Sequence, residues 1–253
     1  MMLPLSGVSV LVTRPAGQSR KLVGEIERAG GEAILFPMIE IADIEDDARL
    51  KSILGRLGEY DIAIFVSPNA VEWAMKRIKA LPPDLRCAAV GKASLAALKA
   101  CGAENVLIPE ARYDSEGLLE LPELQSVRGM RLVIFRGVGG REHLGDELRS
   151  RGASVDYAEC YRRLKPESFA VLRENEVQAV TATSGEIVTN LREMAGNAAW
   201  IRKKPLFVTH DRIGKIAKDA GFGQVVVTDG GDEGLVLGLI KWFEVGEKTH
   251  GNG

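Results

Sequence analysis

The sequence contains little of what metal, redox or disulfide-bonded sites require. Its 253 residues include three cysteines and three histidines, and no two cysteines form a CxxC pair. Cys87, Cys101 and Cys160 stand far apart, and with the histidines they match no metal-site spacing. The plain expectation is reduced, mostly buried thiols in a cytoplasmic protein. We therefore expect no metal ion and no cofactor.

Long apolar runs and an excess of one charge are missing as well. No window approaches the ~18 apolar residues of a membrane span. The first residues, MMLPLSGVSV, lack the basic start and apolar core of a signal peptide. The net charge is −2, so bulk attraction to nucleic acid or an anionic membrane is not indicated. We expect neither partner, and we expect a monomer because no coiled-coil pattern or broad apolar stripe stands out.

Several catalytic motifs are also absent. Neither GxxxxGK[ST] nor GxSxG occurs, and Glu142 stands where a GxGxxG motif beginning at Gly137 would require its third glycine. The histidines do not suit a Ser-His-Asp set, and no strand-end pair of glycosidase carboxylates is evident. What remains is a basic, hydroxyl-rich site. If it catalyses, positioning and exclusion of water are the expected means.

The stretch 7–41 predicts a complete β-turn-α-β unit. Residues 8–12 read as a buried strand, 13–19 as a polar turn, and 33–36 as a second strand. Between them, apolar residues recur at helical spacing until Gly30 and Gly31 end the helix.

This stretch occurs a second time over residues 129–163. Arg14 matches Arg136 and Gly17 matches Gly139 at one constant offset, and three further blocks match in the same order. The agreement indicates a tandem duplication of an α/β half of about 120 residues.

Alternation of strands and helices predicts parallel sheets covered by helices on both faces. Ligands bind such sheets beyond the carboxyl ends of the strands, and helix N-termini there favour anions. The polar residues at these ends form our candidate binding site, together with Ser115, which we expect to cap the helix through Leu121. They are Thr13, Arg14, Ser67, Asn69, Lys92, Arg136, Arg141, Thr183, Ser184, Thr209 and Arg212.

Each candidate also has a simpler interpretation. An arginine at a strand end is more often part of a surface ion pair, and Ser67 and Asn69 can serve as helix caps alone. The Arg-plus-Gly turn at duplicated positions favours the functional interpretation.

The residues at 12–41, VTRPAGQSRKLVGEIERAGGEAILFPMIEI, are followed by YDIAIFVSPNAVEWAM, AAVGKASLAALKACG and YDSEGLLEL. With RGVGGREHLGDELRSRGASVDYAECYRR, they resemble the uroporphyrinogen-III synthase family from about Val8 to Phe243. The resemblance implies a cofactor-free lyase. It converts linear hydroxymethylbilane to uroporphyrinogen III with loss of water and inversion of ring D, through a spiro-pyrrolenine. Handover of this substrate from the upstream bilane-forming enzyme is a further hypothesis.

The resemblance also implies a fold of two parallel-sheet α/β domains with a cleft between them. One domain would be discontinuous, 1–37 plus 164–253, and the other would be the inserted segment 38–163. Two connector strands, near 37–43 and 157–164, would join them.

The resemblance further assigns residues to that cleft. Tyr161 matches the family's cleft tyrosine and would assist departure of the hydroxyl group as water, since a phenol with a pKa near 10 can donate a proton at neutral pH. Its alternative role is that of an amphipathic connector residue. The loop Thr183-Ser184-Gly185 and the turns with Arg14, Ser67, Asn69, Arg136, Gly137 and Arg141 also match. Thr209 matches a family turn, from which His210 and Arg212 depart.

Two other classes of function stay open on the residues alone. The first is a two-domain binding protein that closes on a small polyanionic metabolite without chemistry. Such binders are usually exported, which the missing signal peptide disfavours. The second is an enzyme acting on nucleotides or phosphosugars, which lacks the phosphate loops excluded above.

Overall fold

The computed structural model describes residues 3–167, 172–196 and 198–250. The chain divides into two compact units. Unit 1 comprises Met1–Glu40 and Leu164–Gly253, and unit 2 comprises Ile41–Arg163. Each unit contains one five-stranded sheet. No helix among the described residues is long and apolar enough to cross a membrane.

The strands in chain order are β1 (Ser9–Val12), β2 (Glu32–Leu35), β3 (Glu40–Ala42), β4 (Ile62–Phe65), β5 (Arg86–Ala89), β6 (Arg131–Gly137), β7 (Ser154–Leu164), β8 (Ala179–Ala182), β9 (Leu206–Val208) and β10 (Val225–Val227). The α-helices are α1 (Ala16–Arg28), α2 (Ala48–Gly55), α3 (Pro68–Met75), α4 (Lys92–Ala100), α5 (Ser115–Leu119), α6 (Pro122–Gln125), α7 (His143–Ser150), α8 (Gly185–Ala195), α9 (Asp211–Asp219) and α10 (Gly231–His250). Short 3-10 helices span Leu57–Glu59, Glu174–Glu176 and Ala199–Lys203.

The sheet of unit 1 has the order β10-β9-β8-β1-β2, and its neighbouring strands are parallel. Helix α1 packs against α10, and α8 packs against α9. Val10 and Val12 from β1 are fully buried with Leu22 and Ile26 from α1. The apolar spacing that predicts α1 from the sequence therefore forms the face that this helix buries.

The sheet of unit 2 has the order β3-β7-β6-β4-β5, with parallel pairing from β5 to β7. Alternate residues of its central strands enter different clusters. Phe65 and Phe135 stack in one cluster with ring centroids 4.6 Å apart, whereas Ile64 and Ile134 lie in the other. Both faces of the sheet are therefore apolar, as expected for parallel strands between helices.

The two sheets repeat one topology. Strands β9, β8, β1 and β2 of unit 1 correspond in position to β5, β4, β6 and β7 of unit 2. At the position that β10 occupies in unit 1, unit 2 has an isolated parallel bridge instead, between Leu107 and Ala88 of β5. The second copy of the predicted β-turn-α-β stretch, β6-α7-β7, lies in unit 2, while the strands after it, β8 to β10, lie in unit 1. Each unit thus combines segments from both halves of the tandem repeat.

Candidate functional site

In unit 1 the strand order reverses between β1 and β8, and the polar turns after these strands lie at that reversal. This is the position where open parallel sheets bind ligands. The turn after β1 carries Thr13 and Arg14, and the turn after β8 carries Thr183, Ser184 and Gly185. Unit 1 thus brings two predicted clusters to one edge of its sheet.

The side chain of Thr13 links the two central strands of unit 1. It is fully buried, and its hydroxyl donates a hydrogen bond to the carbonyl of Thr181 on β8. Thr181 in turn donates to the carbonyl of Leu11. These bonds satisfy polar groups that would otherwise be buried without partners, so Thr13 holds the turn to the sheet.

Arg14 forms a bidentate ion pair with Asp232, the second residue of α10. The two N–H···O distances are 2.8 and 2.9 Å, and the two side chains are 12% and 14% exposed. A parallel pair of charge-assisted hydrogen bonds of this kind is strong and geometrically specific. The guanidinium therefore fastens the turn after β1 to the start of α10.

The remaining predicted residues of unit 1 cap helices or face outward. The Ser184 hydroxyl accepts a hydrogen bond from the Ile187 N–H at 3.2 Å and so caps α8, which begins at Gly185. Thr183 beside it is half-buried, and Thr209 after β9 is buried. Arg212 in the first turn of α9 is exposed, and its side chain forms no ion pair within the described ranges. It is thus available to an anionic ligand.

The corresponding reversal in unit 2 lies between β4 and β6. Ser67 follows β4 and caps α3 by accepting a hydrogen bond from the Ala70 N–H at 3.1 Å. Its hydroxyl also lies 3.1 Å from the hydroxyl of Tyr161 on β7. Asn69 is buried in the first turn of the same helix.

Tyr161 is held between β6 and the start of α3. It is 1% exposed, and a register shift after Arg136 places it opposite Gly137. A Cβ atom at Gly137 would lie 2.7 Å from the Tyr161 ring, so only glycine leaves room for the ring. A bulge of this kind re-aims a side chain. Unit 2 thus brings together Ser67, Gly137 and Tyr161, three residues that the sequence places in separate motifs.

Arg136, the second-to-last residue of β6, also has its partners within unit 2. Its side chain is 8% exposed and lies 3.0 Å from Glu159 on β7. It donates to the carbonyls of Gly140 and Arg141 at 2.9 and 3.2 Å. The Arg141 side chain is exposed and makes no ion pair with any residue that the structure describes.

Lys92 and Ser115 lie at other helix starts of unit 2. Lys92 begins α4 after β5, and its ammonium lies 4.8 Å from the centre of the exposed Tyr113 ring. The sequence predicts that Ser115 caps the next helix, and that prediction is wrong. Asp114 caps α5 by accepting a hydrogen bond from the Gly117 N–H at 2.9 Å, and Ser115 is the first helical residue. A carboxylate one position earlier satisfies the same N–H group.

The buried thiols near this site are poor nucleophiles. Burial raises the pKa of Cys160, beside Tyr161, to about 12, and burial raises that of Cys87 to about 11. Both thiols stay protonated at neutral pH and are therefore unreactive, because the thiolate is the nucleophilic form of cysteine. The pKa of Tyr60 is raised to about 12, by burial and then by its hydrogen bond to Asp156. All three groups are therefore protonated near pH 7, and none serves there as a nucleophile or base.

The carboxylates that pair with the duplicated arginines carry no signal in the sequence. Asp232 is 218 positions from Arg14 and Glu159 is 23 from Arg136, so no local spacing connects either pair. The glycine of the Arg-Gly pair at 136–137 is the one local signal of a close contact.

Parallel sheets with polar, helix-capping turns at the strand reversals define an α/β protein, of the class whose members bind ligands at strand ends. The family model for uroporphyrinogen-III synthase HemD matches residues 20–235. The uroporphyrinogen-III synthase of Escherichia coli (strain K12) is 34% identical over 92% of this chain and 100% of its own length. The chain belongs to the uroporphyrinogen-III synthase family.

Solved structures agree on the fold. A crystal structure of a mutant uroporphyrinogen III synthase from Thermus thermophilus aligns with a TM-score of 0.60 at 18% identity, covering 96% of this chain and 100% of that one. The enzyme from Helicobacter pylori 26695 aligns with a TM-score of 0.61 at 10% identity, covering 93% and 99%. The family resemblance and the α/β fold class are thus confirmed, whereas the shared cleft and the roles of single residues stay predictions.

Proposed function

We propose that this chain is a uroporphyrinogen-III synthase. It would convert hydroxymethylbilane to uroporphyrinogen III with loss of water and inversion of ring D. The observation that carries the proposal is the family match over most of the chain. The contacts around Tyr161 support it, because they hold in place a hydroxyl group that would assist loss of water.

Tyr161 is the proposed catalytic residue. Its hydroxyl would assist departure of the substrate hydroxyl as water, with Ser67 fixing its direction at 3.1 Å. Packing around the ring restricts it to one orientation, and the rate gain would come from that fixed placement. Burial raises the pKa values of Cys160 and Cys87, so neither thiol supplies a competing nucleophile near neutral pH.

The proposed substrate-binding residues divide by the role that their contacts support. Lys92, Arg141 and Arg212 are exposed cations that would meet substrate carboxylates. Helix starts would supply N–H and hydroxyl donors. These donors are at Ser67, Asn69, Ser115, Thr183, Ser184, Gly185 and Thr209. Thr13, Arg14, Arg136 and Gly137 would shape the turns that carry them.

We further propose that the two units are the domains of the family fold, with β3 and the end of β7 as connector strands. We propose a cytoplasmic monomer that receives its substrate from the bilane-forming enzyme. The three free cysteines suit a reducing compartment. Gel filtration of the purified chain, with and without the bilane-forming enzyme, tests the monomer and the handover.

One assay tests the function. Hydroxymethylbilane is incubated with the chain, and the oxidised porphyrins are separated by chromatography. Without enzyme the substrate closes to the type I isomer, so an excess of the type III isomer supports the proposal. Type I alone, at the rate of the enzyme-free reaction, contradicts it.

A further inference from the structure

The family resemblance places the turn Arg136-Gly137-Val138-Gly139-Gly140 in the cleft but does not say what its buried arginine does there. Its arginine is buried, although it is the second-to-last residue of a strand beside the candidate site. Both terminal nitrogens of the guanidinium have partners. One donates to the carbonyls of Gly140 and Arg141, and the other lies 3.0 Å from Glu159.

The guanidinium group also stacks over an aromatic ring. Its central carbon lies 3.8 Å from the centre of the Tyr157 ring, which provides a cation–π contact. The Tyr157 hydroxyl donates to the carbonyl of Glu142 at 3.0 Å, just after the glycine-rich turn. A substrate carboxylate would have to displace these partners to reach Arg136, so the contacts favour a role inside the turn.

The glycines of the motif leave room for specific side chains. A Cβ atom at Gly140 would lie 3.1 Å from Cδ of Arg136, tighter than ordinary contact. A Cβ atom at Gly137 would lie 2.7 Å from the Tyr161 ring. The absence of a side chain at Gly137 therefore leaves room for Tyr161, and its absence at Gly140 leaves room for Arg136. The motif is a turn fitted around these two side chains.

We propose that Arg136 is a positioning residue for the reaction, acting through this turn. By binding the carbonyls at 140 and 141 and the carboxylate of Glu159, it fixes Gly137 against Tyr161 and presents Arg141 outward. The direction of the Tyr161 hydroxyl toward Ser67 then depends on Arg136, which itself does not touch substrate. The kinetic consequence of this inference rests on the proposed function. The structural claim, that Arg136 fixes the turn around Tyr161, does not depend on that function.

The kinetic test uses Arg136→Met and Gly140→Ala, which disturb the turn in two ways. We expect Arg136→Met to lower kcat for the type III isomer on the order of 10²-fold, as for a misplacement near 1 Å, with KM changed far less. Gly140→Ala should lower kcat in the same way but by a smaller factor, because its added Cβ lies 3.1 Å from Cδ of Arg136 and displaces that side chain only slightly. Arg136→Lys should not restore kcat, because an ammonium lacks the planar fork that serves three acceptors. The matched control is Arg149→Met. Arg149 also contacts the Tyr157 ring, at 4.9 Å, but bonds to Val155 rather than to the turn.

A second readout does not depend on activity. In protein labelled with 13C at tyrosine Cζ, the Tyr161 resonance is assigned from Tyr161→Phe. We expect it to shift in Arg136→Met and Gly140→Ala and to stay in place in Arg149→Met. If Arg136→Met fails to fold, Gly140→Ala carries the test, since it retains the arginine.

Three results would overturn the inference. An unchanged kcat with a raised KM in Arg136→Met would make Arg136 a substrate ligand. An unmoved Tyr161 resonance in both turn variants would remove the structural claim, and so would an equal shift in Arg149→Met. A wild-type chain that makes no type III isomer, but shows the expected shifts, would refute the proposed function and leave the positioning role standing.

Discussion

Tyr161 shows how packing and one short contact between hydroxyl groups can fix the position of a side chain. Gly137 lies against one side of its ring, Ser67 lies within hydrogen-bond distance of its hydroxyl, and a register shift in the sheet sets its direction. The cation of Arg163 lies 5.9 Å from the ring. Because the side chain is buried in the core cluster of unit 2, its freedom to rotate is already lost before substrate binds.

The three thiols are expected to differ in reactivity. Cys101 is exposed, whereas Cys87 and Cys160 are buried. Burial raises the pKa of Cys87 to about 11 and that of Cys160 to about 12. We expect an aromatic disulfide reagent at about pH 8 to modify one thiol rapidly in the native protein and all three in denaturant. Cys101→Ser should remove the rapid phase. A second rapid thiol in that variant would show that a buried cysteine is accessible.

The arginines mark the limit of what single residues reveal. Arg14 and Arg136 stand out by their duplicated positions. As candidate ligands for an anion, however, nothing in the sequence distinguishes them from Arg141 and Arg212. The structure separates them, since Arg14 and Arg136 are paired with carboxylates and the other two are exposed. That difference depends on Asp232 and Glu159, whose proximity arises from the tertiary fold.

At the scale of the helix, the start of α5 provides a test of capping. Asp114 accepts from Gly117, and its pKa is lowered overall: burial raises it, but the Gly117 N–H and the adjacent Arg112 lower it more. We expect Asp114→Ala to reduce the free energy of unfolding by about 1 kcal/mol, the usual loss for a missing cap. Ser115→Ala should change it by less than about 0.5 kcal/mol.

Urea unfolding of the two variants measures both values. The reverse order, with Ser115→Ala the more destabilising, would restore Ser115 as the cap and contradict the assignment made from the structure.

Elements with strong local patterns were predictable. In α1, buried Leu22 and Ile26 follow the helical spacing seen in the sequence, and the strand predicted at 33–36 is shifted by one residue to Glu32–Leu35. The place of β6 and β7 was not predictable from periodicity. Tandem copies lead one to expect each half to fold as one unit, whereas β6-α7-β7 pairs with β4 from the other half. Only the resemblance to a known family indicated this exchange.

At the scale of the whole molecule, a net charge of −2 gives no general attraction for a polyanion. Attraction must then come from exposed cations at the strand ends. We expect Arg141→Ala and Arg212→Ala each to raise KM for hydroxymethylbilane roughly fivefold, about 1 kcal/mol for an exposed charge. Because such contacts are screened, the dependence of KM on salt should flatten in both variants.

The matched control is Arg86→Ala. Arg86 is exposed at the amino end of β5, away from the strand-end turns, and should leave KM unchanged. A rise in KM that is equal in all three variants would indicate a diffuse charge effect and would remove the specific role of Arg141 and Arg212.

The most direct test of the account is the isomer composition made by Tyr161→Phe. Hydroxymethylbilane is supplied to wild type, to Tyr161→Phe and to Tyr60→Phe, whose lost hydroxyl bonds to Asp156 away from the turn. We predict that Tyr161→Phe keeps its fold by circular dichroism and forms the type III isomer on the order of 10²-fold more slowly. Uncatalysed closure should then raise the share of type I, while Tyr60→Phe behaves as wild type. A wild-type rate and isomer ratio in folded Tyr161→Phe would contradict the account.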